Sequence, residues 1–228
     1  ASDLSEEIIR AHGIHVTPLS LVEDDRVYRD GIDVTATEFH DRMSRGGALP
    51  TTSQPAPAEF LETFRRALEE GEAVVGVLAG STLSGTFHSA EAAVARVDGG
   101  KIHLVDSLGA SLLQGLLVLK AAELAELGQA PTEIVEELRR VRANSGLLFT
   151  VATLERLMAS GRVGRGRALV GRLLALKPIL GLGPDGAVLR FGKALGLKRA
   201  RVELLRILRQ QIPRTAERVR FGIVQDGV

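Results

Sequence analysis

The run Ala73-Val-Val-Gly-Val-Leu-Ala79, followed at once by Gly80-Ser-Thr-Leu-Ser-Gly85, decides the fold. Seven apolar residues without polar alternation read as a strand buried on both faces, the pattern of a parallel sheet. The loop after it is small and hydroxyl-rich, and Thr86 to Val97 then reads as a helix. Lys101-Ile-His-Leu-Val105 repeats the strand, Asp106-Ser-Leu-Gly109 repeats the loop, and Ala110 to Leu127 repeats the helix. Gly128 stops that helix and Pro131 opens another, to about Arg142. Strands alternating with helices predict an α/β domain with a parallel sheet.

Upstream, Ser5 to Ala11 reads as a short helix ending at Gly13, and Ile14 to Val22 as a strand that Pro18 confines to an edge or a bulge. Glu23-Asp-Asp-Arg26 and Arg29-Asp-Gly-Ile32 read as turns. A helix over Thr37 to Arg45 takes its cap from Thr35 or Thr37. Pro57 suits the first turn of a helix from Ala58 to Glu70, which Gly71 ends. Downstream, Leu147 to Ala152 reads as a strand, Leu154 to Ala159 as a short helix, and Gly161 to Arg167 as a basic, glycine-rich loop. Leu169 to Leu176 reads as a helix. Lys177 to Phe191 reads as a hairpin turning at Asp185-Gly186, Lys198 to Gln211 as a helix, and Arg218 to Val224 as a strand. The expectation is two domains: an N-terminal α/β domain over 1–146 and a C-terminal α+β domain over 147–228. Both chain ends read as cut inside a fold.

The composition narrows the function. The chain has 228 residues, 45% hydrophobic and 25% charged, with 29 basic against 28 acidic side chains for a net charge of +1. A near-neutral total gives no overall field for nucleic acid or an anionic membrane. No cysteine is present, so thiolate and disulfide chemistry are excluded. His12, His15, His40, His88 and His103 show neither HxH nor HExxH spacing, so no metal is expected. Without Trp and with a single Tyr, stacking platforms for single-stranded nucleic acid are missing. No apolar run approaches the roughly 20 residues of a membrane span, and no signal pattern opens the chain. The expected location is the cytoplasm.

Three loops could carry chemistry. Gly80 to Thr86 lies where a parallel strand hands over to a helix, the position at which open α/β sheets bind ligands. A helix N-terminus there suits an anion, and Ser81, Thr82, Ser84 and Thr86 add hydroxyls; the same residues also make an ordinary cap. Pro50-Thr-Thr-Ser-Gln-Pro-Ala-Pro57 is stiffened by its prolines. It reads equally as a helix entry, with Ser53 as cap, or as a rigid holder of hydroxyls. Arg162, Arg165, Arg167 and Arg172 form a local basic run, a solvated or partner-docking face. Asp106-Ser107 reads as a helix-entry turn. Nucleotide motifs and a GxSxG elbow are absent, and no His is read as a base for Ser84, so a nucleophilic role has no support.

Four segments in order resemble the DegV family of bacterial fatty-acid-binding proteins: Pro50 to Pro57; Ser81-Thr-Leu-Ser-Gly-Thr86; Val105-Asp-Ser with Gln114-Gly115; and Phe149 to Leu157 through Gly161-Arg-Val to Leu176-Lys-Pro-Ile-Leu180. Lys193 fits a later family position. The resemblance implies two α/β domains holding a long-chain fatty acid, with the tail in an apolar tunnel and the carboxylate on loop hydroxyls. It implies Thr52 and Ser84 as head-group ligands, with Ser53 and Gly85 as neighbours. It implies a carrier rather than an enzyme, without a cofactor, that presents the acid to a fatty acid kinase, with Arg162 as a docking residue. Leu195 stands where the family carries an Arg linked to that kinase, which counts against the partnership. The resemblance further implies that the family's first strand and a C-terminal section lie outside this chain. An enzymatic alternative is a phosphosugar-binding protein using Ser81 to Thr86, which partly resemble the phosphate loops of sugar isomerase domains. A nucleic-acid regulator using the Arg162–Arg172 run is a third reading.

Overall fold

The computed structural model describes residues 2–23, 26–44, 50–97, 100–151, 153–162 and 176–224. The architecture is mixed α/β, and the chain divides into two compact units, Ala1–Val141 and Arg142–Val228.

Unit 1 is built on the parallel pair that the apolar runs predict. Strand β4 (Val74–Leu78) pairs in parallel with β5 (Ile102–Asp106), Val74 opposite Ile102 and Leu78 opposite Asp106. Successive side chains point to opposite faces, and both faces are covered. Val74, Leu78, Ile102 and Leu104 pack with Phe60 and Phe64 of α3 (Pro57–Glu70) and with Ala90 and Ala93 of α4 (Thr86–Val94). Val75, Val77 and Val105 pack with Leu117, Ala121 and Leu124 of α5 (Ser111–Glu126) and with Ile134, Val135 and Leu138 of α6 (Pro131–Ala143). Continuous Val/Leu runs are what a strand covered on both faces requires. Gln114 of α5 donates from Nε2 to the Val77 carbonyl at 3.2 Å, tying that helix to β4.

Ahead of this layer stands an antiparallel sheet in the order β2-β1-β3: β1 (Ser20–Glu23), β2 (Arg26–Arg29) and β3 (Thr51–Ser53). Two sequence expectations are corrected here, and one strand is added. The strand foreseen over Ile14 to Val22 is confined to β1; ahead of it Pro18 has no N–H for a ladder. Residues 14–19 are held by side chains, Thr17 on Thr63 at 3.0 Å and His15 on Glu70 at 3.1 Å, and at their ends by the Ile14 N–H on the Ile9 carbonyl and the Leu19 carbonyl under the Asp30 N–H, both at 2.9 Å. Arg26 to Arg29, for which the sequence predicts no strand, form β2 and pair with β1. Thr51 to Ser53, read as loop, form β3 and pair with β1, Thr52 opposite Leu21.

Helix α1 (Glu6–Ala11) is capped by Ser5, whose hydroxyl accepts the Ile8 N–H at 3.3 Å. Helix α2 (Ala36–Ser44) starts in a capping box. Thr35 Oγ1 accepts the Glu38 N–H at 3.2 Å, and Glu38 accepts the Thr35 N–H at 2.8 Å. Before it, Arg29 grips Asp33 through Nε at 2.9 Å and a backbone N–H at 2.8 Å. These hydrogen bonds hold the Asp33 carboxyl at about 2, below its ordinary 3.8. A depressed folded-state value means that the pair's contribution is full above about pH 4 and is lost as pH falls towards 2. The stability difference between the protein and Asp33→Asn, from denaturant midpoints, is therefore expected to shrink across that window. A difference that stays constant would contradict it.

Unit 2 is an antiparallel sheet in the order β6-β7-β8: β6 (Leu148–Thr150), β7 (Leu176–Leu182) and β8 (Val188–Leu195). The β7–β8 hairpin turns at Pro184-Asp185-Gly186, where Gly186 adopts φ +79°, which favours glycine. Helix α7 (Glu155–Ala159) follows β6, and α8 (Gly196–Gln211) buries Ala200 and Ile207 against the sheet. The strand expected over Arg218 to Val224 is absent: no described strand pairs with it, and Phe221 and Ile223 are 55% and 89% exposed. Apolar alternation alone makes no strand without a neighbouring ladder. The helix expected over Leu169 to Leu176 lies outside the described residues, except for Leu176, which opens β7.

The near-neutral total charge conceals a strong asymmetry. Residues 1–141 carry 12 basic and 23 acidic side chains, a net −11, whereas residues 142–228 carry 17 and 5, a net +12. The even total therefore does not describe the field around either unit.

Candidate functional site

The carboxyl ends of β4 and β5 lie side by side, so the two loops that leave them meet. Gly80 donates its N–H to the Gly109 carbonyl at 2.7 Å, and Ser107 donates its N–H to the Leu78 carbonyl at 3.1 Å. A Cβ on Gly80 would lie 2.7 Å from Gly109 N and 2.9 Å from Leu108 C, both backbone atoms. Only a glycine lets the loops approach this closely.

Asp106 fastens the contact. Its carboxylate accepts the Ser81 N–H at 3.2 and 3.3 Å and the Leu108 N–H at 2.8 Å. Ser107 is fully buried, and its hydroxyl exchanges hydrogen bonds with Gly109 at 3.2 Å in both directions. The Asp106-Ser107 turn therefore serves the backbone.

The Ser81 loop folds back on itself. Leu83 and Ser84 donate their N–H groups to the Gly80 carbonyl at 2.9 and 3.0 Å. Ser84 Oγ accepts the Thr86 N–H at 3.3 Å and lies 2.8 Å from Thr86 Oγ1. Thr86 is buried at the first position of α4, and Ser84 is half-buried. Ser84 thus sits at the mouth of a helix N-terminus, whose first-turn N–H groups have no carbonyl one turn back and favour a negative charge.

The proline-flanked segment reaches the same helix. Thr52 is exposed at the centre of β3, and among the described residues its hydroxyl meets no partner. Gln54, two residues on, donates from Nε2 to the Ser89 hydroxyl at 3.2 Å. Its amide also occupies the space beside Gly85, where a Cβ would come 2.1 Å from Oε1. Pro55 is fully buried and anchors the turn into α3. Ser53 is not the cap of that helix. The N-cap is Ala56, whose N–H donates to Glu59 at 2.6 Å, while the Ser53 hydroxyl, among the described residues, reaches the Gln54 carbonyl at 3.4 Å. Ser53 lies inside the β3 ladder, too far from the first turn to serve it.

Thr52, Ser53, Ser84 and Gly85 thus all lie in unit 1, on segments joined through Gln54. Sequence reading named Thr86 as a hydroxyl of the loop but passed over Gln54 and the Asp106 clamp. The glycine directly after the buried strand was the available signal for close loop approach. In unit 2, Arg162 is exposed, and its N–H donates to the Ser160 hydroxyl at 3.4 Å. Arg165, Arg167 and Arg172 lie outside the described residues. Lys193 is exposed on β8, and Leu195, 51% exposed, ends that strand. Among the described residues no cluster of three or more His, Asp or Glu could hold a metal, and no helix is long and apolar enough to cross a membrane.

Comparison with known proteins places this arrangement. A family model described as an uncharacterised protein of the DegV family matches residues 1–226. A DegV domain-containing protein of Deinococcus radiodurans is 38% identical over 211 residues, 92% of this chain and 74% of that protein. Among solved structures, a DegV family protein from Thermus thermophilus described for its fatty acid binding is 40% identical, with a TM-score of 0.84 over 92% of this chain and 74% of that one. A stearic acid-binding protein from Eubacterium ventriosum is 29% identical, with a TM-score of 0.85 over 92% of this chain and 74% of that one. A match that runs through both units and both hydroxyl segments means that the chain belongs to the DegV family.

Proposed function

We propose that the protein binds one long-chain fatty acid and acts as an intracellular carrier rather than a catalyst. The observation that carries this reading is the Ser84 hydroxyl at the N-terminus of α4, joined through Gln54 to the segment that bears Thr52. Thr52 and Ser84 receive the carboxylate; Ser53 and Gly85 shape the backbone beside them. Thr86 prepares Ser84. Ser84 Oγ accepts the Thr86 N–H and lies 2.8 Å from Thr86 Oγ1, where either hydroxyl can donate; a carboxylate at Ser84 takes the Ser84 proton and leaves Thr86 Oγ1–H to donate to Ser84 Oγ. The family relation supports the ligand class, since relatives of this fold are described as binding stearic acid and other fatty acids.

The energetics divide the work. Burying about fourteen methylenes at roughly 0.8 kcal/mol each yields a gross ~11 kcal/mol, from which immobilisation removes a substantial part. Each hydroxyl bond to a carboxylate adds roughly 1.5–3 kcal/mol. The tail sets affinity, and the hydroxyls spare the head group from burial as an unpaired charge.

The sugar-phosphate reading needs an acid or base facing Ser81 to Thr86. The carboxylate that reaches this loop, Asp106, is occupied by backbone N–H groups, and His88 pairs with Glu91 at 2.9 Å on the exposed side of α4. Thermal denaturation separates the readings: palmitate is expected to raise the melting temperature and glucose 6-phosphate to leave it unchanged. The reverse pattern overturns the carrier reading. Transfer of the acid to a fatty acid kinase is the finer step. Arg162 is exposed for such a partner, whereas Leu195 offers an apolar side chain at the position where an Arg is expected.

A further inference from the structure

Gly85 is a glycine without a conformational reason to be one. Its φ of −73° and ψ of 4° are open to any residue. The reason is spatial. An added Cβ would meet three atoms of one side chain, the Gln54 amide: Oε1 at 2.1 Å, Cδ at 2.7 Å and Nε2 at 2.8 Å. Gln54 is a largely exposed residue, yet its amide is seated in this notch, and Nε2 donates to the buried Ser89, one turn into α4. Buried Pro55 restricts the chain immediately after it.

We infer that Gln54 and Gly85 form a latch that fixes the distance between the two hydroxyl segments, Gln54 being the positioning residue and Gly85 its seat. This rests on the fatty-acid reading of the site. Thr52 lies two residues before Gln54, and Ser84 lies directly before Gly85, so the amide in the notch sets where the two hydroxyls stand relative to each other. A carboxylate spans only a few ångströms, and two donors serve it together only at a matched separation. An unlatched site keeps its apolar contribution and loses its preference for the charged head group. The atom in the way is the end of a flexible side chain, so Gly85→Ala is expected to expel Gln54 rather than to distort the backbone.

A double-mutant cycle of Gln54→Ala and Gly85→Ala tests the latch. Palmitate and hexadecanol affinities, melting temperature and the Gln54 side-chain amide resonances are measured for each protein. Each single variant is expected to fold normally and to bind palmitate about tenfold more weakly, with hexadecanol binding changed by less than about twofold. The double variant is expected to match the singles, at about tenfold, because both break one contact. Gly85→Ala is expected to move the Gln54 amide resonances towards those of a solvated glutamine. A double variant near a hundredfold weaker overturns the latch, as do single variants that keep the palmitate preference or lose both ligands equally. If the unmodified protein takes up no palmitate, the carrier reading fails by itself. The latch is then decided by the resonances, and Gly85→Ala leaving them unchanged overturns it.

Discussion

Replacing Thr52 and Ser84 together by alanine is expected to weaken palmitate binding roughly a hundredfold while hexadecanol binding falls by less than about threefold. The two ligands share the tail and differ in the head group, so the comparison isolates the carboxylate. Each hydroxyl bond to a charged acceptor contributes roughly 1.5–3 kcal/mol, and two such bonds lost with partial compensation by water give about 3 kcal/mol. The alcohol makes only neutral hydrogen bonds, which exchange with water at small net cost. Ser84 is oriented by two contacts from Thr86, and Thr52 by its ladder position opposite Leu21. The Thr52 hydroxyl makes no hydrogen bond among the described residues, whereas Ser84 accepts the Thr86 N–H at the start of α4, so the double variant is expected to fold and to lose only about 1 kcal/mol of stability. Equal losses for acid and alcohol, measured by calorimetry, would show that these hydroxyls do not read charge.

Gly80→Ala is expected to destabilise the protein by about 3 kcal/mol and to abolish ordered ligand binding. The new methyl would meet the backbone of Leu108 and Gly109 at less than 3 Å, and backbone cannot rotate aside as the Gln54 amide can. Relief requires the β4 and β5 loops to part, which breaks the bond from Gly80 N–H to the Gly109 carbonyl and strains the Asp106 clamp on Ser81. The effect should appear in the denaturant midpoint and in acid affinity together. A variant as stable as the unmodified protein would contradict the close approach. The contrast with Gly85→Ala is informative. Both glycines flank the same loop, yet one faces backbone and should be a stability position, whereas the other faces a side chain and should be a ligand-affinity position.

Much of the fold was legible because local signals agreed. Apolar runs marked β4 and β5, Gly71 and Gly128 marked helix ends, and Asp185-Gly186 marked the unit 2 hairpin. What escaped was stabilised from far along the chain. Strand β3 is three hydroxyl residues between prolines, and only its pairing with β1, about thirty residues earlier, makes it a strand. Arg26 to Arg29, which span the gap between two turn-like stretches and carry no strand signal of their own, form β2 because Tyr28 and Val27 pair with Leu21 and Val22. Conversely, Arg218 to Val224 carry a strand pattern, and no described strand pairs with them.

The site divides in the same way. The Ser81 to Thr86 loop was visible at the end of its strand. The Asp106 clamp joins residues 25 apart, and the bond from Gln54 to Ser89 joins residues 35 apart. No local spacing rule encodes either. Nor does a summed charge of +1 encode units of −11 and +12, because addition erases position.

The most direct test of the carrier reading is the lipid content of the protein itself. Purified protein is denatured and extracted, the extract is analysed by mass spectrometry, and the delipidated protein is titrated with palmitate. About one long-chain fatty acid per chain, released on denaturation or taken up on titration, is the predicted result. A protein that releases no fatty acid and refuses added palmitate would contradict the account.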